Sequence, residues 1–439
     1  MNSTRIPADP TGDLASIDVS NDLIGSGQEG GLSDQVRAWL QRVRGGDMGA
    51  LPAVAGFIVL SILFTALSPY FLTERNFANL MTQAATLVTL GMALVFVILL
   101  GEIDLSAGVT AGVSMCIFIV LVNVQGLNWM VALAIAFLVG ILIGTFIGFF
   151  VARVGIPSFV VTLGLFLGLQ GVELIVIGAG GLYRVQIPEI IAIQNSNLPT
   201  WAGWVLLAVM LAVSATTSFF DRRRRARAGV PNRTIALVWA KLGLILVLGG
   251  IAVFLLNRNR GQAPTMLNGK EVGGNIVEGV PIVVPIVLLI LWVGTFVLDR
   301  TKYGRYIYAI GGNAEAARRA GVKIITIRWT AFIVCSTLAV FAGLFSISKV
   351  GSVDAAAGRD LVLSGVAAAV VGGVSLFGGR GRLIHAAIGA LVIAVITNGL
   401  GLLNLPAGVN YAVTGGVLIL AATVDAVSRV RAGGSLVRT

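Results

Sequence analysis

The sequence predicts an all-α polytopic membrane protein of about 12 transmembrane helices, with both termini cytoplasmic. Three observations predict it. Apolar residues make up 56% of the 439 and charged residues only 12%, against about 25% charged in a soluble globular protein; mean hydropathy is +0.93. The apolar residues come in blocks such as Leu51–Phe71, Trp201–Phe220 and Pro281–Leu298. Each is close to the roughly 20 residues that cross a bilayer as a helix. Backbone exposed to lipid must satisfy its own hydrogen bonds, so such runs become helices. They lack the polar stripe of an amphipathic surface helix, which excludes a large soluble protein. Finally, the basic residues cluster in short loops between the blocks.

Taken in order, the crossings read as 51–71, 77–100, 104–124, 128–152, 157–178, 201–220, 234–256, 281–299, 324–346, 361–378, 384–403 and 408–427. Residues 1–50 precede them. They are polar, rich in Asp, Gly and Ser, and lack the short apolar core and cleavage site of a signal peptide. They read as a disordered cytoplasmic tail, and 431–439 as a second, shorter one. With the N-terminus inside, 24 of the 31 Lys and Arg fall in cytoplasmic segments and seven outside. That is the asymmetry of the positive-inside rule. It accounts for the formal charge of +11 without a nucleic-acid partner. Two outer loops are long, 179–200 and 257–280; the second carries Asn, Gly and Pro and reads as solvated. Helices 2–5 and 9–12 are both rich in Gly and Ala, which lets membrane helices approach closely. Each half also has a Pro after an apolar run, Pro157 and Pro406, a hint of an internal repeat. Cys116 and Cys335 lie inside apolar segments and read as packing residues without a disulfide.

The most informative segment is 308–323, between two crossings on the cytoplasmic side. Asn313 is a good N-cap. Glu315 sits in the first turn and Arg318 and Arg319 in the last, as the helix dipole favours. Gly321 can take the left-handed conformation that closes a helix. The result is a short capped helix outside the membrane, 313–321, whose small face, Ala316 and Ala317, could seat in a groove on another protein. An ordinary connecting turn is the plainer reading.

A second segment is Gly101-Glu-Ile-Asp-Leu-Ser-Ala-Gly108. Acidic groups at bilayer depth are costly and mark functional sites. Glu102 and Asp104, two apart, would face nearly opposite ways on one helix. A broken helix fits better, with Gly101 ending one half and Asp104 capping the next by accepting from the backbone near Ser106 or Ala107. It could line a passage or move with it; a capped loop at the membrane surface is the alternative. A third segment, Gly372–Arg382, holds five glycines and two arginines. No Lys-Ser or Lys-Thr follows, so a Walker A phosphate loop fails. Gly269-Lys270 fails too, being followed by Glu271.

These segments carry a resemblance. Glu315-Ala316-Ala317 with Gly321 resembles the cytoplasmic coupling loop of permeases in bacterial ATP-binding-cassette importers. The text of 308–323, of Glu102-Ile-Asp-Leu-Ser106 and of the Gly-rich stretch is similar to the sugar-permease branch with ribose, galactose and xylose members. Two features point to the xylose type: the helix pair flanking Arg222–Arg227, and the run from Leu255 to Gly261. The resemblance covers about residues 51–430. It departs at Val362-Leu363-Ser364, where the branch usually has Glu-Leu-Asp. What it implies is a permease domain over 51–430 in the inner membrane. Its coupling helix would dock an ABC ATPase subunit through Asn313, Glu315, Ala316, Ala317, Arg318 and Gly321. A periplasmic or lipid-anchored sugar-binding protein, a second permease copy and membrane lipid would be the other partners. The cargo would be a monosaccharide, D-xylose or a related pentose.

Weaker candidates complete the reading. Glu173, with Gln170 one turn before it, could bond a sugar hydroxyl or be an interfacial acid. Asn398, Asn404, Asn410 and Tyr411 could line a polar path or bond between helices. His385 is the only histidine and has no partner cluster for metal or catalysis. The chain has no evident catalytic constellation and needs no cofactor or metal, so ATP hydrolysis falls to a separate subunit. The competing function is an ion-coupled secondary carrier, for which Glu102, Asp104 and Glu173 are few buried acids.

Overall fold

The computed structural model describes residues 49–178, 180–229, 235–261, 265–267, 270–272, 275–356 and 358–431. Both expected tails lie outside these, apart from Gly49, Ala50 and Arg431. The helices are α1 (Leu51–Leu67), α2 (Glu74–Ile98), α3 (Ala107–Asn123), α4 (Trp129–Gly148), α5 (Ser158–Ile177), α6 (Pro188–Asn195), α7 (Thr200–Arg227) and α8 (Ile235–Leu256). They continue with α9 (Val283–Arg300), α10 (Lys302–Gly312), α11 (Ala314–Arg319), α12 (Ile324–Val350), α13 (Arg359–Val371), α14 (Leu383–Leu402) and α15 (Ala407–Arg431). Among the described residues, eight helices are long and apolar enough to cross a membrane: α2, α4 with its extension, α5, α7, α8, α9, α12 and α14. Helices α1 and α3 and the segment Gly408–Thr423 are apolar but shorter.

The core forms around α2, against which α12, α14, α13 and α9 pack. From Leu90 to Leu100 its apolar side chains are almost wholly buried. Helices α7 and α8 pack mainly on each other, and Trp201, Trp239, Leu244 and Phe254 stay exposed. An apolar surface of that kind is what lipid covers. Small residues allow the closest seam. Gly140, Gly144 and Gly148, spaced by four, share one face of α4 and meet Ser336, Ile333 and Trp329 of α12. A Cβ at Gly144 would lie 2.7 Å from both Ile333 Cα and the Phe332 carbonyl oxygen.

Several expected boundaries shift. Crossing 361–378 is helical only to Val371. Its 13 residues span about 20 Å at about 1.5 Å each, short of the roughly 30 Å hydrocarbon core. The helix stops because Gly372 meets α14 backbone to backbone: a Cβ there would be 1.9 Å from the His385 carbonyl oxygen. Gly373 then turns the chain at φ +93°. Helix α3 begins at Ala107, three residues after the expected start. Helix α4 runs on through a wide turn, Phe149–Val154, before Gly155 closes it at φ +88°. The long loops are more ordered than their composition suggests. In the first, β1 (Leu182–Arg184) is followed by α6; β1 pairs antiparallel with β4 (Ser352–Asp354), Tyr183 opposite Val353. In the second, β2 (Thr265–Leu267) pairs with β3 (Lys270–Val272). Arg260 is buried there, donating to the carbonyl oxygens of Leu256 and Gly279. The expectation of a purely solvated loop is therefore corrected.

Candidate functional site

The three segments singled out above meet at one end of the bundle. Helix α10 is capped by Thr301, whose hydroxyl accepts from Gly304 N at 3.3 Å. It buries Ile307 and Ile310 and ends in Gly311 and Gly312. Gly311 is required by packing: a Cβ there would sit 1.8 Å from the Leu99 carbonyl oxygen and 2.6 Å from Gly379 N. Those two atoms bond to each other, Gly379 N donating to Leu99 O at 2.9 Å. So α10, the end of α2 and the Gly-rich loop touch backbone to backbone. Tyr308 pins the same loop, its hydroxyl donating to Gly381 O at 2.8 Å. Burial, with Asp299 nearby, pushes its phenol up to about 12, against the opposing pull of Arg382. It remains a neutral donor at any physiological pH. Arg382 is ion-paired to Asp299 at the end of α9.

Helix α11 projects from this junction. Asn313 is extended (φ −160°) and its Oδ1 accepts from Ala316 N at 2.9 Å. Glu315 pairs with Arg318 at 2.9 Å and Arg319 at 3.2 Å. Those two bonds, Arg318 first, hold its carboxyl below the ordinary value of 4.5. Gly321 (φ +81°) closes the helix, with Val322 N donating to Ala317 O at 3.1 Å. One expectation is corrected: Ala317 points inward and is 5% exposed, packed on the chain's own core. The outer surface is Glu315, Ala316, Arg318, Arg319 and Ala320. Ala317 thus roots the helix, because an inward residue at that turn must be small and apolar.

The break between α2 and α3 lies beside this root. Helix α2 ends at Ile98, and Gly101 takes φ +78°. Asp104 is fully buried, and its Oδ1 accepts from Ser106 N at 2.9 Å and Ser106 Oγ at 2.6 Å. Glu102 turns the other way and pairs with Arg328 of α12, Oε1 to Nε 3.2 Å. The segment is held from α5 as well: Ser158 Oγ accepts from Ile103 N at 3.1 Å, and Thr162 Oγ1 donates to Ile103 O at 3.3 Å. Sequence reasoning missed Arg328, Ser158, Thr162 and the role of Tyr308. A signal existed for two of them: an arginine just inside an apolar helix, and a serine directly after the proline that starts another.

The remaining candidates are elsewhere. Glu173 is wholly buried, because α5 turns it into the bundle; neither carboxyl oxygen has a hydrogen-bond partner among the described residues. Asn398 lies at the opposite end from α11, in a reciprocal amide pair with Asn76, both bonds 2.9 Å. It also donates to Gln83 Oε1 at 3.3 Å. Tyr411 donates to Asp360 at 2.7 Å on an exposed surface, and Asn404 turns the chain at φ +53°. None of these touches Glu102 or Asp104. Val362, at the departure from the resembled branch, is buried where a Cβ on Gly108 would meet it. Cys116 and Cys335 are free and buried.

A bundle of apolar helices with a capped polar helix outside it is the build of a membrane permease component. The family model for the branched-chain amino acid transport system permease component matches residues 76–422, and the chain belongs to that family. Among its relatives is the xylose transport system permease protein of Escherichia coli K12, 32% identical over 86% of this chain and 92% of the relative. The ribose import permease protein of the same strain is 27% identical over 89% of this chain and 95% of its own. A probable ABC transporter permease protein of Sinorhizobium fredii is 27% identical over 87% of this chain and 90% of its own. No solved structure matches. The chain is a multi-pass protein of the bacterial inner membrane and a transport subunit.

Proposed function

We propose that this chain is the membrane-spanning subunit of an ATP-binding-cassette importer that carries a monosaccharide, D-xylose or a related pentose, into the cytoplasm. The observation that carries the reading is α11. It is capped at both ends, charged on its outer surface and rooted by Ala317. Its root adjoins backbone contacts among α10, the α2 end and the Gly-rich loop. Such contacts have no soft side chain between them, so a load on α11 shifts the helix ends together. An ATPase subunit docked on Glu315, Ala316 and Arg318 would drive alternating access that way. A sugar-binding protein would deliver cargo at the other end, and two permease copies would flank the passage.

Twelve crossings with cytoplasmic termini fit the contacts. Glu102 with Arg328, Asp221 with Arg300 and Asp299 with Arg382 all join segments that the charge count puts inside. Glu74 with Arg258, and β1 with β4, join segments it puts outside. Xylose is favoured by the identity to the xylose permease relative.

The test combines Glu315→Lys with Gly321→Pro. The expected result is normal membrane insertion with loss of the co-purifying ATPase; unchanged co-purification would overturn the coupling role. In proteoliposomes, uptake of labelled D-xylose should require ATP, the ATPase and the binding protein. Uptake by the chain alone on a proton gradient would overturn the importer reading.

A further inference from the structure

At the end of the bundle opposite α11, the helices part around a polar cavity of about 420 Å³. One wall is α2, where Asn79 and Thr82 are one turn apart. Lys349, in the last turn of α12, reaches across to them. Its Nζ donates to Asn79 Oδ1 at 2.9 Å and to Thr82 Oγ1 at 2.7 Å. Another wall is the end of α6. Gln194 there is 3% exposed; its Nε2 donates to Phe345 O at 3.2 Å, while its Oε1 has no partner among the described residues. Asn195 beside it donates to Ser348 O at 2.7 Å. Arg260 closes the rim, donating to Gly279 O at 3.0 Å and Asn197 Oδ1 at 3.3 Å.

Among the described lining residues there is no carboxylate and no aromatic ring. Lys349 is held by neutral acceptors alone, whereas Arg260 also has Glu278 within electrostatic range. Partly burying the Lys349 cation without a counter-ion costs free energy, so its placement is not explained by stability. Its chemistry selects a ligand class. A metal or ammonium ion is repelled by the three lining cations, Lys349, Arg260 and Arg75. An apolar molecule would leave the amides unpaired. A hydroxyl both donates and accepts, matching amides that do the same and an ammonium with three protons, of which Asn79 and Thr82 take two. The volume lies at the small end of the roughly 300–1,000 Å³ of ligand sites, which suits one sugar ring.

We propose that this cavity binds a free, neutral monosaccharide at the mouth where it enters, with Lys349 as hydroxyl donor among the lining amides. The proposal rests on the sugar-importer reading above and assigns that reading a site.

The test uses the assembled transporter in right-side-out membrane vesicles. Ala78 lines the cavity, and Ala78→Cys adds one accessible thiol, since Cys116 and Cys335 are fully buried. A membrane-impermeant maleimide reports its accessibility. The probes are D-xylose, D-ribose, D-glucose and the sugar acid D-xylonate. At least one neutral sugar should slow labelling about tenfold when present at about ten times its Kd. Tyr70→Cys, at an exposed position outside the cavity, should label at an unchanged rate. Asn195→Cys provides a second reporter should the first variant fail to insert. No labelling at either position, no protection by any neutral sugar, or protection by D-xylonate alone would overturn the site. The importer reading fails by a different result, uptake without the ATPase, so the two failures are distinguishable.

Discussion

Gly311→Ala adds one methyl group at the point where α10, the end of α2 and the Gly-rich loop meet. Its Cβ would fall 1.8 Å from the Leu99 carbonyl oxygen, and ordinary contact begins at 3.4 Å. The two backbones must therefore part by about 1.6 Å. No side chain can yield, because both facing atoms belong to main chain. Parting breaks the bond from Gly379 N to Leu99 O, and burying an orphaned backbone pair costs about 1–3 kcal/mol. Forcing atoms into a filled core adds about 1–3 kcal/mol. The combined loss is about 2–6 kcal/mol, above the roughly 1 kcal/mol at most gained by replacing a helical glycine with alanine. The assay is thermal unfolding of the purified chain in detergent, with ATPase co-purification measured alongside. Gly312→Ala is the control, since nothing lies within 4 Å of a Cβ there. The expected result is a lower melting temperature and weaker ATPase retention for Gly311→Ala, with Gly312→Ala close to wild type. Equal melting of the two variants would refute the close-packed junction, and with it the argument that load passes through it.

Removing one partner of the Glu102 and Arg328 pair, 14% and 30% exposed as side chains, should cost about 1–3 kcal/mol. A double-mutant cycle of Glu102→Gln and Arg328→Gln should show coupling, and additive losses would argue against a working ion pair. Asn398→Leu leaves Asn76 Oδ1 without its partner, although Asn76 Nδ2 still donates to Phe71 O, and should cost about 1–3 kcal/mol in melting experiments; Asn76→Leu in the same chain should then cost less than it does alone, and full additivity would sink the pairing. Gly144→Leu should separate α4 from α12 and reduce the folded yield by fluorescence size exclusion, whereas Gly164→Leu, in open space on α5, should not. The Glu315 carboxyl is held below its ordinary 4.5 by Arg318 and Arg319. Its support of α11 is therefore complete above that value and is lost as pH falls through the lowered one. Hydrogen-exchange protection of residues 314–321, corrected for intrinsic rates, should hold from neutral pH to about pH 5 and then decline; protection unchanged to about pH 3 would contradict the pairing.

Much of this protein was legible in its sequence for local reasons. A run of 20 apolar residues has one stable answer in lipid, and a cap such as Asn313 before Glu315 depends on neighbours within one turn. The turn at Gly101 and the cap at Asp104 are local too. Boundaries failed where distant backbone intervenes. The helix from Arg359 stops at Val371 because α14 passes too close for a side chain at Gly372, and no local pattern encodes that approach. Glu173 stayed open between a sugar contact and an interfacial acid because position along α5 does not say which way that helix is turned, and its burial depends on that.

The sequence alone determined that the chain crosses the membrane many times, where α11 begins and ends, and that helix 2 breaks near Gly101. Each follows from solvent preference or from hydrogen bonds spanning a few residues. Tertiary structure alone decided that the three segments share one junction, that Glu102 pairs with Arg328, and that Lys349 meets Asn79 and Thr82 across a cavity. Those contacts join residues far apart in the chain, and their geometry is set by how closely glycine-lined helices can pack.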